Sequence, residues 1–471
     1  MAKKGVLEKS LLRLTWPIFI ELFFVFMVNV ADAWFLSRVS DAAAGAVGAI
    51  LPIIGIGFAI YSTLNQSGNA VASQRLGAKD HHLVAETFGV VLILGLISGL
   101  LLAVMYIYMA PTFARLMGLE GDMADMASIY LGTLGFGTWL LSVRFAASSI
   151  LSSQGLTKWN MLSTGVMTIL NILFNYMFVF GKFGVPAMGV QGVAIASVLA
   201  WGFSLLLTLW IILFKLKIKV ELPKSWKNFR NSARPILDIA LPSSFEPLSW
   251  QFSQLVLTTM VIQMGELSLA TRIYTINILF VAILYCFALS TGVQIKVAHL
   301  IGARRFDDAH NQLIQGVKLA LGGSLAFVTA GYVFSDSLYG AFTENTEIWA
   351  LGASVLVVAF FGEIGRSLNI VIGASLRAGG DARYVSVIAV FSMWLMMIPL
   401  AWALGLKLVW GLIGIWIAMS ADELIRGLIS LRRWNSQKWR TKGLYAKKKQ
   451  VPDLAASVDE KDVEEMTDSR N

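Results

Sequence analysis

The sequence predicts an all-α polytopic membrane protein with about twelve transmembrane helices in two pseudo-symmetric six-helix lobes. Composition, a series of long apolar stretches and an internal repeat support this fold class. The chain has 471 residues, of which 56% are hydrophobic and 14% charged, and its mean hydropathy is +0.69. Soluble domains carry about a quarter charged residues. This composition excludes a water-soluble fold.

Twelve apolar stretches follow one another from residues 14–37 to residues 409–431. Each is long enough to cross a hydrocarbon core of about 30 Å, and short polar or glycine-containing joints separate them. The pattern predicts an N-terminal lobe at 1–214 (helices 1–6), a basic linker at 215–235, a C-terminal lobe at 236–431 (helices 7–12) and a tail at 432–471. The tail ends in an acidic run that is typical of a disordered segment.

Basic residues are concentrated in alternate loops. One side holds the residues around Lys9, Arg75, Lys158, Arg304 and Arg377, together with the run of lysines and arginines from Lys215 to Arg234. The opposite loops hold Arg38, Arg115, Lys182 and Lys407 beside acids such as Glu120, Asp122 and Asp336. By the positive-inside rule, both termini are predicted to be cytoplasmic. His81, His82, His299 and His310 all map to connections on the basic side.

An internal repeat appears when the chain is shifted against itself by 225 residues. The shift aligns Pro17 and Glu21 with Pro242 and Glu246, Gly77 and Ala78 with Gly302 and Ala303, and Leu151, Gly155 and Lys158 with Leu376, Gly380 and Arg383. An even number of spans in each half makes the repeats parallel, with a cleft between two lobes. A substrate would cross the membrane in that cleft, so the repeat favours transport by alternating access over a channel.

Two carboxylates in the first span are candidates for ion coupling, because an ionisable side chain in hydrocarbon is costly and marks function by default. Glu21 and Asp32 are 11 residues apart, which puts them within about 20° of the same helix face. Both can face the cleft and suit a proton-coupled switch. For Glu21, a structural hydrogen bond one turn after Pro17 is an equally good interpretation. Asp32 has only Asn29 as a polar neighbour in its helix.

Two asparagines in the fifth span share a helix face. Asn171 and Asn175 are spaced i, i+4, so both can reach Asp32 on a neighbouring helix. Asparagines of this kind also serve as helix-packing contacts, at roughly 0.6 kcal/mol each.

The second lobe carries candidates for the substrate cleft. Glu246, Trp250 and Gln254 form an i+4 stripe that suits hydrophobic cations, with helix packing as the alternative for Trp250. Glu363 and Arg366, spaced i, i+3, are expected to pair with each other.

The chain lacks phosphate-binding, HExxH and G-x-S-x-G motifs, and is therefore predicted not to be an enzyme. No cofactor is expected. Asp307 and Asp308 form the one suggestive acidic cluster, and a solvated helix start explains them.

The chain resembles the multidrug and toxic compound extrusion (MATE) family, bacterial type, over residues 10–440. Matching segments include Trp16-Pro17, the turn from Gln74 to Ala78, the run from Gln154 to Lys158, the segments Asn171 to Tyr176 and Gly189 to Ala194, Leu241-Pro242 and the run from Leu376 to Asp381. The resemblance implies a secondary exporter that rocks between inward-open and outward-open states, and a monomer suffices for this function. It implies antiport of amphipathic cations against H⁺ or Na⁺. The expected partners are these small molecules and membrane lipids, and no nucleic acid is expected.

The resemblance also assigns residues. Asp32 matches the aspartate that couples cation entry, and Asn171, Asn175 and Ser197 line the same pocket, where Na⁺ could bind instead of H⁺. Many relatives have a glutamate where this chain has Trp250, so a second ion site in the C-terminal lobe is not expected.

Two other transport functions stay open. A lipid-linked oligosaccharide flippase would need a strongly cationic cleft, but Arg272 and Arg366 are the obvious buried positive charges. An exporter of an endogenous metabolite would look the same in sequence.

Overall fold

The computed structural model describes residues 5–445, and this part of the chain is helical, without β-strands. Its twelve long helices are α1 (Leu11–Val39), α2 (Asp41–Gly77), α3 (His81–Leu116), α4 (Gly121–Ser153), α5 (Thr157–Phe180), α6 (Gly189–Lys215), α7 (Trp226–Ile262), α8 (Glu266–Gly302), α9 (Phe306–Val333), α10 (Thr346–Ala378), α11 (Ala382–Lys407) and α12 (Gly411–Asn435). A short helix at Ser335–Gly340 follows α9. The last turns of α6 and parts of α11 are π-helical.

Ten of these helices are long and apolar enough to cross a membrane on length and composition alone. The other two, α7 and α12, are of similar length but carry more charge, including Glu246 in α7 and Asp422, Glu423 and Arg426 in α12. The predicted all-α membrane fold is therefore confirmed.

The helices form two lobes, α1–α6 and α7–α12, whose hydrophobic cores separate at one end and merge at the other. We call the end where α1 begins and α12 finishes the basic face, since it carries the lysine- and arginine-rich connections. In the opposite half, each lobe has its own core, built around residues such as Val47 and Leu131 in the first and Leu257 and Trp416 in the second. In the basic half, shared cores join the lobes, for example Leu11 with Val293.

The repeat offset of 225 residues recurs in the backbone. Residues with positive φ occur in pairs at this spacing: Lys79 (57°) with Arg304 (58°), Gly155 (65°) with Gly380 (85°), and Gly184 (81°) with Val409 (60°). L-residues other than glycine rarely adopt this conformation, so chance is a poor explanation for three equally spaced pairs. The connections of the two lobes therefore turn in the same way.

Two predicted boundaries differ from the structure. The connection expected at 215–235 is shorter, because α7 already begins at Trp226 after an N-cap at Ser225. The prediction of a disordered tail is wrong for residues 432–445. Helix α12 continues to Asn435, and the buried rings of Trp434 and Trp439 stack with centroids 4.1 Å apart. The rest of the predicted tail, with Lys3 and Lys4, lies outside the described residues.

Candidate coupling site and inter-lobe seam

Asp32 lies at the centre of a polar cluster inside the N-terminal lobe. Its Oδ1 accepts hydrogen bonds from Asn175 Nδ2 at 2.6 Å and Asn171 Nδ2 at 3.1 Å. Its Oδ2 accepts one from Ser197 Oγ at 3.1 Å. The two asparagines and the serine are buried. The structure thus brings together four residues that the sequence analysis singled out, from α1, α5 and α6.

One face of α5 explains how the cluster forms. Thr164, Thr168, Asn171 and Asn175 follow at steps of four, three and four residues, so they line a single side of the helix. Thr168 donates to the backbone carbonyl of Phe24 at 3.2 Å, and the asparagines bind Asp32 further along α1. The same polar stripe therefore follows α1 from mid-helix to Asp32. Thr164 and Thr168 were not among the predicted site residues, although their spacing continues that of the asparagines.

Glu21 sits at the other end of this stripe and is paired. Arg144 Nη2 of α4 lies 3.8 Å from Glu21 Oε1, and Thr164 Oγ1 lies 3.4 Å from the same oxygen. Arg144 also donates from Nε to Ser204 Oγ at 2.9 Å and from Nη2 to Thr164. Glu21 thus has a counter-ion inside its own lobe, whereas Asp32 is surrounded by neutral donors. Arg144 is a buried cation that the sequence analysis did not identify.

The cluster around Asp32 can hold a carboxylate in its ionised form, because three donors point at its two oxygens and hydrogen bonds to the charged form favour that form. One acceptor remains free: Asn175 Oδ1 is buried and has no partner in the described part of the chain. The arrangement can therefore load and release one small cation, either a proton on Asp32 or a metal ion on its oxygens.

In the C-terminal lobe, Glu246 belongs to an ion-pair network and is not a free carboxylate. Its Oε2 lies 2.7 Å from Arg377 Nη1, and its Oε1 lies 3.6 Å from Arg426 Nη1. Arg426 also pairs with Asp422 at 2.6 Å and with Glu423 at 3.2 Å. The stripe that was predicted to bind cations therefore has its negative charge neutralised by arginines of its own lobe.

The remaining C-terminal candidates also engage their own lobe. Glu363 and Arg366 pair with each other, as their spacing predicts. Trp250 packs against the hydrophobic core of the lobe. Gln254 Oε1 accepts a hydrogen bond from Arg272 Nη2 at 2.7 Å. The structure therefore does not gather these residues into one site.

The lobes meet at the basic face in a seam with two-fold pseudo-symmetry. A Cβ atom on Gly77 would collide with the backbone carbonyl of His299, and one on Gly302 would collide with the carbonyl of Gln74. Gly77 and Gly302, like Gln74 and His299, are 225 residues apart. Glycine at both positions lets α2 and α8 cross with their backbones in contact.

The same pairs supply the hydrogen bonds of the seam. Gln74 Nε2 donates to the carbonyl of Ala378, and His299 Nε2 donates to the carbonyl of Ser153 at 2.7 Å. These acceptors, again 225 residues apart, end α10 and α4. His299, predicted to lie in a loop, is instead a buried residue of α8, because the helix runs on to Gly302.

The chain beyond α12 crosses this seam as a strap, residues 436–445. Lys442 Nζ binds Asp381 at 2.5 Å in the C-terminal lobe. The Leu444 amide donates to Gln74 Oε1 at 3.0 Å, and the Tyr445 hydroxyl donates to Asp80 Oδ2 at 3.2 Å, both in the N-terminal lobe. Burial raises the pKa of Tyr445 to about 12, so its hydroxyl remains a donor at physiological pH. The strap thus holds the two lobes together at the basic face.

Two helical lobes, a polar site buried in one of them and a seam that closes one end define a membrane transporter. The profile of the MatE family matches residues 17–177 and 242–403, once in each lobe. The chain belongs to this family.

Individual relatives agree with this assignment. The uncharacterized transporter YisQ of Bacillus subtilis (strain 168) is 34% identical over 92% of this chain and 96% of its own length. A probable multidrug resistance protein, NorM, from the same organism is 27% identical over 90% of this chain and 94% of its own length.

Solved structures share the fold. A MATE transporter in its straight conformation superimposes with a TM-score of 0.84 at 20% identity, covering 93% of this chain and 97% of that one. A MOP superfamily transporter from Pyrococcus furiosus Vc1 (DSM3638), described as having a binding pocket of reverse polarity, gives 0.84 at 20% identity over 95% and 98%. Membership of the MatE family makes the chain a multi-pass membrane transporter and not an enzyme.

Proposed function

We propose that this protein is a secondary active multidrug exporter that antiports amphipathic cations against protons by alternating access between its two lobes. The Asp32 cluster carries the proposal. Within residues 5–445 this carboxylate has no counter-ion, and three neutral donors hold it inside one lobe. Such a group can exchange a proton for the positive charge of a substrate, because either cation neutralises it.

We place the basic face in the cytoplasm of a bacterial inner membrane, following the positive-inside rule. With this orientation, the seam at Gly77, Gly302 and the strap closes the cytoplasmic side. The rings of Phe26 and Phe280 are in contact, with centroids 4.3 Å apart. This contact lies about 20 Å along α1 and α8 from the ends of these helices that are opposite the basic face. Between this contact and the outer surface, each lobe has its own hydrophobic core, which supports an outward-facing state. Export would require the seam to open and the outer halves to close.

Protons are favoured over sodium by the orientation of the amides. A hard metal ion is held by oxygen ligands, but both asparagines present nitrogen to Asp32. Sodium is the second candidate, since Asn175 Oδ1 lacks a partner and could serve as a ligand.

Cationic cargo is favoured over a lipid-linked phosphate. Buried arginines are more numerous than predicted, and include Arg75, Arg144 and Arg426. Arg144 and Arg426 have carboxylate partners, and Arg75 binds Thr87 and Ser232. Arg272 alone does not make a phosphate-binding cleft. An endogenous cationic metabolite would fit the same site as a drug.

The test is efflux of a fluorescent cation from energised vesicles under separate proton and sodium gradients. The intact protein is expected to export the dye when a proton gradient is applied. Asp32→Asn should abolish this export, while Asp41→Asn, at the exposed start of α2, should leave it unchanged. Undiminished export by the Asp32 variant would refute the assignment. Export driven only by a sodium gradient would show that the coupling ion is Na⁺ and not H⁺.

A further inference from the structure

Arg272 is a buried cation that has no carboxylate partner in the part of the chain that the structure describes. Its side chain lies between α7 and α8, and the residue is 4% exposed. The buried arginines Arg144 and Arg426 each form an ion pair, and Arg75 donates three hydrogen bonds. Among the described residues, Arg272 has a single hydrogen bond, from Nη2 to Gln254 Oε1 at 2.7 Å. A lone guanidinium in a membrane helix is expensive, so its presence points to a ligand.

Two hydrogen-bond donors at this position lack an acceptor. Arg272 Nη1 and Gln254 Nε2 are both buried and have no partner in the described part of the chain. A buried donor left without an acceptor destabilises the protein, because it has lost its hydrogen bonds to water and gained none in return. Since both free groups are N–H donors next to a positive charge, the ligand that satisfies them is an anionic acceptor.

Arg272 lies at nearly the same depth in the C-terminal lobe as Asp32 does in the N-terminal lobe. Asp32 is seven residues from the outer end of α1, a depth of about 10 Å, and Arg272 is six residues from the outer end of α8, about 9 Å. Helix α7, which carries Gln254, borders the N-terminal lobe, because Gln251 lies against Gly55 of α2. One lobe thus holds an unpaired anion and the other an unpaired cation at the same depth.

We propose that Arg272 and Gln254 bind a carboxylate of the transported compound, so that the preferred substrates are amphipathic zwitterions. The inference rests on the proposed exporter function and names its substrate class. The amine of the substrate neutralises Asp32, and its carboxylate receives the free donors of Arg272 and Gln254. A guanidinium suits this role because its planar array of N–H groups matches a carboxylate. Since Arg272 is buried here, the carboxylate reaches it when side chains between α7 and α8 move apart.

The experiment compares two dyes that differ in one charge. A rhodamine with a free carboxylate is a zwitterion, and its methyl ester is a cation with the same ring system. Binding of each dye to the purified, detergent-solubilised full-length protein is measured by fluorescence anisotropy. Arg272→Gln is expected to weaken binding of the zwitterion about tenfold or more, ~1.4 kcal/mol, and to leave binding of the ester unchanged. Arg272→Lys should restore part of the affinity, and Arg115→Gln, at the end of α3, is the matched control.

The outcomes separate the possible ligands. Equal weakening of both dyes would show that Arg272 has only a structural role, and no weakening of the zwitterion would also overturn the proposal. Competition by acetate supports a carboxylate site. If chloride competes equally well while wild-type protein and Arg272→Gln bind both dyes alike, the site takes a small inorganic anion and the proposal fails. Failure of the exporter function would appear separately, as absence of dye export by wild-type protein in proteoliposomes.

Discussion

At the residue scale, the charged side chains differ in whether they have a counter-ion. Glu21, Glu246 and Glu363 each have an arginine partner, while Asp32 has three neutral donors. Breaking a buried ion pair leaves an uncompensated charge, so paired residues contribute to stability. A lone charge has no such structural role. Function is therefore expected at Asp32, and structure at the paired carboxylates.

The Glu21–Arg144 pair yields a stability prediction. Arg144→Gln removes the counter-ion of Glu21 and should destabilise the protein by about 3–5 kcal/mol. The double variant Glu21→Gln, Arg144→Gln removes both charges and should recover most of that loss. Thermal unfolding of the purified protein in detergent measures both, with Arg115→Gln as the control. A double variant less stable than the single one would show that the pair is not coupled.

The sequence predicted the Asp32 cluster better than it predicted ion pairing. Spacing alone placed Asn171 and Asn175 on one face of α5, which limits their partners to a neighbouring helix. Arg144 escaped notice because it lies in the middle of an otherwise apolar and small-residue span. The partners of Glu246 also could not be predicted, since Arg377 and Arg426 come from helices more than 100 residues away in the chain.

At the element scale, the seam depends on close crossing of α2 and α8. Backbone contact at Gly77 and Gly302 leaves no space for a side chain. Glycine permits such an approach because it has no side chain. Gly77 and Gly302 are equivalent positions of the repeat, so each lobe makes the same contact with the other. The sequence repeat identified both glycines, but not that each faces the other lobe, because periodicity carries no information about partners.

Substitution of the seam glycine should prevent closure of the basic face. Gly77→Val places a branched side chain against the carbonyl of His299, and we expect dye export to fall at least about tenfold, a change of ~1.4 kcal/mol. Gly48→Val lies in the same helix, where a Cβ would meet nothing within 4 Å, and should retain export. Spin-label distances across the basic face should increase in the first variant. Full export by Gly77→Val would mean that the seam does not need to close.

The strap should bias the same equilibrium more weakly. Tyr445→Phe removes the hydrogen bond to Asp80, worth about 1 kcal/mol. The open form of the basic face should then be populated about fivefold more. The same distance measurement detects this change, and Thr441→Val, an exposed strap residue that bonds only within the strap, is its control. Equal spin-label distances across the basic face in Tyr445→Phe and wild-type protein would show that the strap does not affect opening of this face.

At the scale of the whole molecule, two lobes with shared cores at one end and separate cores at the other form a structure that can rock about its seam. The fold class followed from hydropathy and from the repeat, because both are properties of the whole chain. The ordered strap was not predicted, since its anchors at Trp434 and Trp439 lie in a segment that reads as basic and polar.

Orientation in the membrane is open to direct measurement. Cys286 is fully buried and should not react, so cysteines can be introduced into the natural background. Ser37→Cys, at the outer end of α1, should react with an impermeant maleimide added to intact cells. Lys227→Cys, at the start of α7, should react only after lysis. The reverse pattern would place the basic face outside the cell.

The central claim is that a substrate cation and a proton compete for Asp32. It is tested most directly by adding a cationic dye to purified protein in weakly buffered solution and recording the proton release. Wild-type protein and Asp41→Asn are expected to release protons as the dye binds, and Asp32→Asn to bind the dye without release. Proton release by Asp32→Asn equal to that of wild-type protein would contradict the account.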